Sequence, residues 1–295
     1  MATVGGAGFG GYALAEPFGT SVTTYRLSPP RWPHGLSLNL AVLTDLHACR
    51  PWMDVARIEG IVARVNMMKP DCVLLLGDYV AGKSLSRYAS PVAHRDWAGA
   101  LGALKAPLGV HAVLGNHDWW DDAKAMARRC GPTRAGLALQ NAGITLHENT
   151  CVQLAKEGKS FWIAGLGDQW ALWPKPGSGK KVGYDGVDDL PGTLALVTDD
   201  APIVLMAHEP DIFPQVPNRV SLTVCGHTHG GQVRFFGYAP VVPSKYGARY
   251  VYGHVVERGR SLVVSAGLGC SGLPVRFGSP PEIVMIELNS DEKSA

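Results

Sequence analysis

The chain has 295 residues, 46% apolar and 18% charged, enough to bury one large core or two small ones at roughly 100–200 residues per domain. Its 36 Gly and 21 Pro follow no collagen period and no low-complexity tract, so a fibre and a disordered chain are both excluded. With 27 Lys and Arg against 25 Asp and Glu the formal charge is +2, too balanced for a polybasic footprint on nucleic acid or an anionic membrane.

The first 17 residues read MATVGGAGFGGYALAEP, small and apolar. They carry no basic leading segment and fall well short of the roughly 20 apolar residues that span a bilayer. Two readings stand: the trimmed end of an export signal or membrane anchor, and a loosely docked leader. Residues 1–37 are therefore set apart as a leader and N-terminal extension, and residues 38–290 as one domain.

From Leu38 onward, short β-like runs alternate with helical stretches, the pattern of an α/β fold. LNLAVLTD (38–45) reads as a buried strand. Asp54 then caps a helix with apolar residues at Val55, Ile58, Ile61, Val62, Val65 and Met68, which Lys69-Pro70-Asp71 stops. CVLLLGD (72–78) is a second buried strand. Residues 92–105 are helical by spacing, GVHAVLGN (109–116) is a third strand, and residues 121–129 form a short helix halted by Gly131-Pro132. After Gly143 the segments ITLHEN, CVQLA, FWIAGLGD, IVLMAHEPD, SLTVCGHTH, GQVRFF, SLVVSAGLG and EIVMIEL read as strands. Residues 173–184 (WPKPGSGKKVGY) read as a flexible insertion within one domain.

The six cysteines (Cys49, Cys72, Cys130, Cys151, Cys225, Cys270) show no CxxC pair and no Cys/His zinc spacing, which predicts reduced thiols. Cys72 and Cys225 sit inside apolar runs as small hydrophobes.

Polar residues collect where the strands end: Asp45-Leu46-His47, Gly77-Asp78, Gly115-Asn116-His117-Asp118, His208, and Gly226-His227-Thr228-His229. In α/β sheets, functional groups gather outside the carboxyl ends of strands. In an extended Asp-x-His or His-x-His, the first and third side chains project to one side and can reach one cavity. Carboxylate, amide and imidazole donors suit Mn, Fe, Zn, Co or Ni far better than a thiolate-loving metal.

The ordered set DLH…GD…GNHD…H…GHTHGG resembles the calcineurin-like metallophosphoesterases, because each piece matches in type, order and place relative to a strand. The resemblance reaches from about Ala41 to Leu288. The segments VNMMKPDCVLLLGDYVAG, GLGDQW, AHEPD, KYGARYVYG and GLGCSGLPVRFGSPPEI resemble a bacterial phosphodiesterase branch whose members often carry an export signal or membrane anchor. It implies a two-sheet β-sandwich flanked by helices, a four-layer α/β fold, with two divalent metals about 3.5–4 Å apart at strand ends. Carried over by position, Asp45, His47 and His229 hold one metal; Asn116, His208 and His227 hold the other; and Asp78 bridges them beside a water or hydroxide. His117 contacts the phosphoryl group and protonates the leaving oxygen, and Asp118 orients that imidazole.

The resemblance thus implies a two-metal hydrolase of phosphate esters, most simply a phosphodiesterase with Mn as the preferred ion. Its substrate is a small-molecule or lipid phosphoester, with peripheral membrane association or export if the leader is a trimmed anchor, and a cytoplasmic place otherwise. No specific nucleic-acid partner is implied. Two departures disfavour protein phosphatase activity: Tyr79-Val80-Ala81-Gly82 lacks the Asp-Arg of those enzymes, and Asp118 stands where Glu is expected. The nearest alternatives are a nucleotide-sugar lipid pyrophosphatase of the UDP-diacylglucosamine type and a non-catalytic scaffold. The scaffold is disfavoured because all seven ligand positions and His117 are present.

Elsewhere the plainer readings hold. His34, His94, His111, His147 and His254 are structural or solvated, and Asp211 caps a turn. Trp119 and Trp120 either wall the cleft or pack in the core. Asp168 and Trp170 stand at another strand end. The turn 267–272 with Arg276 lacks a P-loop Lys-Ser/Thr, which leaves a phosphate-facing turn as its only ligand role.

Overall fold

A computed structural model describes residues 11–175 and 183–289 of the chain. The first ten residues of the leader and the centre of the insertion expected over 173–184 lie outside the described residues. In chain order the strands are β1 (Ser21–Leu27), β2 (Leu38–Leu43), β3 (Cys49–Arg50), β4 (Cys72–Leu75), β5 (Ser90–Pro91), β6 (Val110–Ala112) and β7 (Thr145–Leu146). They continue with β8 (Thr150–Lys156), β9 (Lys159–Gly165), β10 (Ile203–Met206), β11 (Leu222–Cys225), β12 (Gly253–Glu257), β13 (Arg260–Val264) and β14 (Glu282–Leu288). The helices are α1 (Val55–Met67), α2 (His94–Leu101), α3 (Asn116–Trp120), α4 (Ala123–Arg128), α5 (Arg134–Asn141) and α6 (Leu190–Ala195).

Two six-stranded sheets, ordered β1-β14-β2-β4-β6-β7 and β12-β13-β11-β10-β9-β8, pack face to face. Alternation along each strand divides its side chains between two cores. Leu40, Val42, Cys72 and Leu74 meet Phe161, Ile163, Val204, Met206 and Val224 between the sheets. Their neighbours Ala41, Leu43, Val73 and Leu75 instead meet Ile58, Ile61, Val65, Trp97 and Leu101 of α1 and α2. Beyond the second sheet, Ala164, Ile203 and Leu205 pack on Leu190, Ile212 and Phe213. With both faces covered, the central strands β4 and β10 read as unbroken apolar runs, and β2 and β11 carry one polar residue each, Asn39 and Thr223. Each fully buried Leu or Val contributes about 1.5–3 kcal/mol. The result is the expected four-layer sandwich. Helix α1 begins where expected, with Asp54 Oδ1 accepting the Arg57 N–H at 2.9 Å.

Several elements differ from the expectation. β1 pairs parallel with β14 from Ser21↔Glu282 to Leu27↔Leu288, so the boundary expected at residue 38 falls inside the folded unit. Glu16 also accepts the Gly278 and Ser279 N–H groups at 2.9 and 3.0 Å, which ties the preceding turn down. The edge strands β1 and β12 are half exposed and mixed in polarity, which hides them from an apolar-run search. Helices α3, α5 and α6 are also additions; they are short, and Gly136 within α5 and Pro191-Gly192 within α6 mask them. GQVRFF is not a strand: among the described residues it forms single bridges, Val233 to Phe277 and Phe235 to Tyr238. All six cysteines are free thiols, four of them buried. Among the described residues no helix is long and apolar enough to cross a membrane.

Candidate metal centre

The carboxyl ends of β2, β4 and β6 in one sheet, and of β10 and β11 in the other, open onto the same place. The loops are laced together by backbone bonds. Asp45 N–H donates to Gly77 O at 3.0 Å, His47 N–H to Asp78 O at 2.9 Å, and Gly269 N–H to Asp45 O at 2.6 Å. The turn 267–269 thus holds the Asp45 backbone, and Gly267 lets it lie against the Asp45 side chain, since a Cβ there would stand 2.7 Å from Asp45 Cβ. Asp45, His47, Asp78, His227 and His229 all have positive φ, between 46° and 69°. Such backbone costs about 1–3 kcal/mol per residue and persists where the surroundings hold it for function. Gly115 makes the last turn feasible, since a Cβ there would lie 2.4 Å from Asp78 Oδ1 and 2.8 Å from His208 Cε1.

The side chains converge on Asp78. Its Oδ2 lies 3.5 Å from His47 Nε2 and 3.3 Å from His208 Nε2. On one side His47 Nε2 is 3.0 Å from His229 Nε2, which is 3.5 Å from Asp45 Oδ1. On the other, His208 Nε2 is 3.2 Å from His227 Nδ1. All of these side chains are buried. Asn116 follows at the start of α3, and its Oδ1 is buried with no hydrogen-bond partner among the described residues.

This donor set fits divalent cations. Metal–ligand bonds of about 2.0–2.2 Å place neighbouring donors about 3.0–3.5 Å apart, the spacing found here. His47 Nδ1 faces Val80 O at 3.2 Å and His208 Nδ1 faces Leu76 O at 2.7 Å, which turns each Nε2 lone pair inward. Burial pushes His47 down to about 3, and pushes His227 and His229 well below their ordinary value, so these imidazoles are neutral, as ligands must be. Burial alone would raise Asp78. Its pairing with His208, whose own pKa that carboxylate raises well above the ordinary imidazole value, outweighs burial and holds the Asp78 carboxyl well below the usual range.

His117 sits at the rim. Its backbone N–H donates to Asp78 Oδ1 at 2.9 Å, and its ring lies 5.0 Å edge-on from the His47 ring. Gly82 makes room for it, because a Cβ there would stand 2.3 Å from His117 Cε1.

Asp118 does not orient that imidazole. Its carboxylate accepts four backbone N–H groups, those of Asp78 and Gly115 on Oδ2 at 2.9 Å and those of Tyr79 and Val80 on Oδ1 at 2.9 and 3.2 Å. The helical turn of α3 directs Asp118 back into the Asp78 loop while His117 faces the opening. Asp118 is therefore a clamp on that loop.

The aromatic residues separate. Trp119 is core, whereas Trp120 is half-buried, 5.2 Å from the His117 ring, and stacked 4.7 Å from Trp173. Trp170 meets the His227 ring at 4.5 Å and stacks on Tyr184 at 4.7 Å. Trp173, Tyr184 and Glu209 were not expected here. Glu209 is buried behind His208, and its Oε2 accepts the Gln169 N–H at 3.1 Å. Asp168 Oδ1 accepts the Trp170 N–H at 2.9 Å, so these two carboxyls shape the turn that seats Trp170. Only adjacence to His208 in AHEPD signals Glu209. Arg276 is fully buried, donating to Ala266 O, Gly269 O and Ser279 O, with Nη2 3.2 Å from His229 Nδ1. It supports the wall behind His229 and does not face the opening.

Comparison with known proteins agrees with this architecture. The family profile for calcineurin-like phosphoesterases matches residues 38–231. The chain is 26% identical to the uncharacterized metallophosphoesterase YkuE of Bacillus subtilis, over 98% of this chain and 92% of that protein. It is 27% identical to the phosphodiesterase YaeI of Escherichia coli, over 96% and 93%. Among solved structures, the NAD nucleotidase of Haemophilus influenzae shares the fold with a TM-score of 0.50 at 14% identity. That match covers 86% of this chain and 51% of the nucleotidase, about half its length.

Proposed function

The chain belongs to the calcineurin-like phosphoesterase family and is a metal-dependent phosphoester hydrolase, and we propose that within this family it is a two-metal phosphodiesterase. The observation that carries this reading is the position of Asp78 Oδ2, within 3.5 Å of His47 Nε2 and 3.3 Å of His208 Nε2, between two sets of donors. Asp45, His47 and His229 would hold one cation, Asn116, His208 and His227 the other, and Asp78 both. Two such ions, when bound, supply charge neutralisation of the phosphoryl group and a nucleophile at neutral pH. Manganese is the ion we expect to serve best, on the oxygen-and-imidazole donor set.

The protein's own groups do the rest. Asp78 spaces the two donor sets, and the Asp118 clamp holds the Asp78 loop. His117 faces the opening from the rim, where it can reach the oxygen that leaves phosphorus. Burial holds its pKa below the ordinary value. The negative charge of a bound phosphate ester works the other way and favours the imidazolium that protonates a leaving alkoxide. Trp120, Trp170, Trp173 and Tyr184 line the side nearest His117 and His227, where a planar or apolar ester group can pack. A diester with such a group is accordingly the substrate class proposed, in a catalytic unit running from β1 to β14.

The test is metal analysis together with a substrate panel. The protein should carry about two transition ions per chain. Chelation should abolish hydrolysis of bis(p-nitrophenyl) phosphate and Mn²⁺ should restore it. Full activity in stripped protein, or a tenfold preference for a small monoester such as glycerol phosphate, overturns the reading.

A further inference from the structure

Residues 235–238 form a tight turn on the His229 side of the fold. Phe235 and Tyr238 exchange backbone hydrogen bonds of 2.8 and 2.9 Å around Phe236 and Gly237, whose φ values are 50° and 86°. Two positive φ values at the centre of such a turn are the type I′ pattern, which favours Asn, Asp or Gly. Phenylalanine is an outlier at the first of these positions, and here its side chain is fully exposed. Folding gains nothing from it. Phe235, Tyr238, Val241 and Leu273 are exposed as well.

A mostly apolar groove of about 370 Å³ links this patch to the metal centre, its lining joining His229 to Val233, Val241, Leu273 and Val275. The Gln232 side chain in that lining is already bonded to Ser271 and Leu273. The start of the described chain adjoins the same face. The exposed Tyr12 packs edge-on against Phe277 at 5.6 Å, and Phe277 lies 5.3 Å from Phe235. Arg234, whose guanidinium donates to Gly237 O at 3.2 Å, places a cation at the base of the aromatic tip. Aromatic rings above a basic group are the arrangement that settles at a lipid headgroup boundary.

We propose that this face docks on a phospholipid bilayer, and that the groove takes the hydrocarbon part of a lipid phosphoester whose phosphate lies at the metal centre. A lone ring on a turn tip is convex. It sinks readily into a fluid layer, whereas a second protein copy would have to offer a matching pocket. The groove half of the proposal rests on the phosphodiesterase reading above; the docking half does not.

Docking is tested by co-sedimentation of the full chain with vesicles of phosphatidylcholine and phosphatidylglycerol. The wild type should pellet with the vesicles. The double variant F236S/Y238S should partition roughly tenfold less, with its melting temperature and its turnover of bis(p-nitrophenyl) phosphate unchanged. Wild type left in the supernatant, or a variant that pellets equally, overturns docking. Loss of a dimer in the variant, seen by light scattering without vesicle binding, assigns the face to a second copy and also overturns it.

For the groove, octyl phosphate should inhibit bis(p-nitrophenyl) phosphate hydrolysis roughly tenfold more tightly than ethyl phosphate, and Leu273→Arg should erase that difference. Equal inhibition by the two in the wild type overturns the groove half. Vesicle binding without any phosphodiester hydrolysis would sink the phosphodiesterase reading and leave docking standing.

Discussion

The backbone N–H of His117 donates to Asp78 Oδ1 at 2.9 Å, while the other oxygen of that carboxylate faces His47 and His208. The residue proposed to protonate the leaving group is therefore tethered to the residue proposed to bridge the metals. Any motion of the bridge is felt at the rim. The tether also separates the two roles, because it uses the His117 backbone and leaves its imidazole free to meet a substrate.

A bridging carboxylate serves both ions, so Asp78→Asn should lose bound metal and activity together, by elemental analysis and steady-state assay on the same preparation. Retention of both ions with near-native turnover would show that Asp78 is not the bridge.

His117→Ala should keep both metals, since the backbone tether survives the change. Turnover of alkyl esters should fall by roughly 10²–10⁴-fold, the range of general acid catalysis. The loss should shrink for p-nitrophenyl esters, whose leaving group needs little protonation. A variant that lacks one metal would make His117 a ligand.

Asp118→Asn replaces one oxygen of a carboxylate that accepts four N–H groups. The amide NH₂ would leave two of those donors unpaired, at about 1–3 kcal/mol each. Denaturant unfolding should show a loss of about 2–6 kcal/mol, with weaker metal retention. The pH profile of kcat should keep its shape. A shifted profile with unchanged stability would restore Asp118 to a role on the His117 imidazole.

Away from the metal centre, His147 Nε2 lies 3.0 Å from His111 Nδ1. Burial, with a smaller push from His111, takes the His147 pKa down from 6.5 to about 4. Between these values the unfolded chain binds a proton that the folded chain does not. Stability is therefore complete above about pH 6.5, falls as pH drops toward about 4, and levels off below that. The effect is at most about 3 kcal/mol. Chemical denaturation at pH 7.5 and pH 5 should show a smaller difference for His147→Gln than for the wild type. An equal difference would remove His147 as a source of acid sensitivity.

Much of this was legible along the chain. The largely apolar runs at 38–43, 72–75, 203–206 and 222–225 are strands covered on both faces, and that covering is what leaves at most one polar residue in each. Asp54 marked its helix because a side-chain acceptor at an N-cap meets a backbone donor three residues away. Asp118 was misread for the converse reason: its partners Asp78, Tyr79 and Val80 are about 40 residues distant, and adjacence to His117 says nothing about them. The edge strand β1 escaped because only one side of it is paired and its residues are half exposed.

Read along the chain, the residues show which side chains offer metal-ligand chemistry, because that is a property of residue type and each type stands just after a strand. That they meet follows from the packing of the fold. Asp45, His47, Asp78 and Asn116 come from one sheet and His208, His227 and His229 from the other, so the gap across which donors lie 3.0–3.5 Å apart exists only once the sheets pack. Packing likewise separated neighbours that the sequence could not distinguish, burying Trp119 in the core and leaving Trp120 beside His117. Successive residues on one helical turn point about 100° apart, and which of those directions is inside is settled by the rest of the fold.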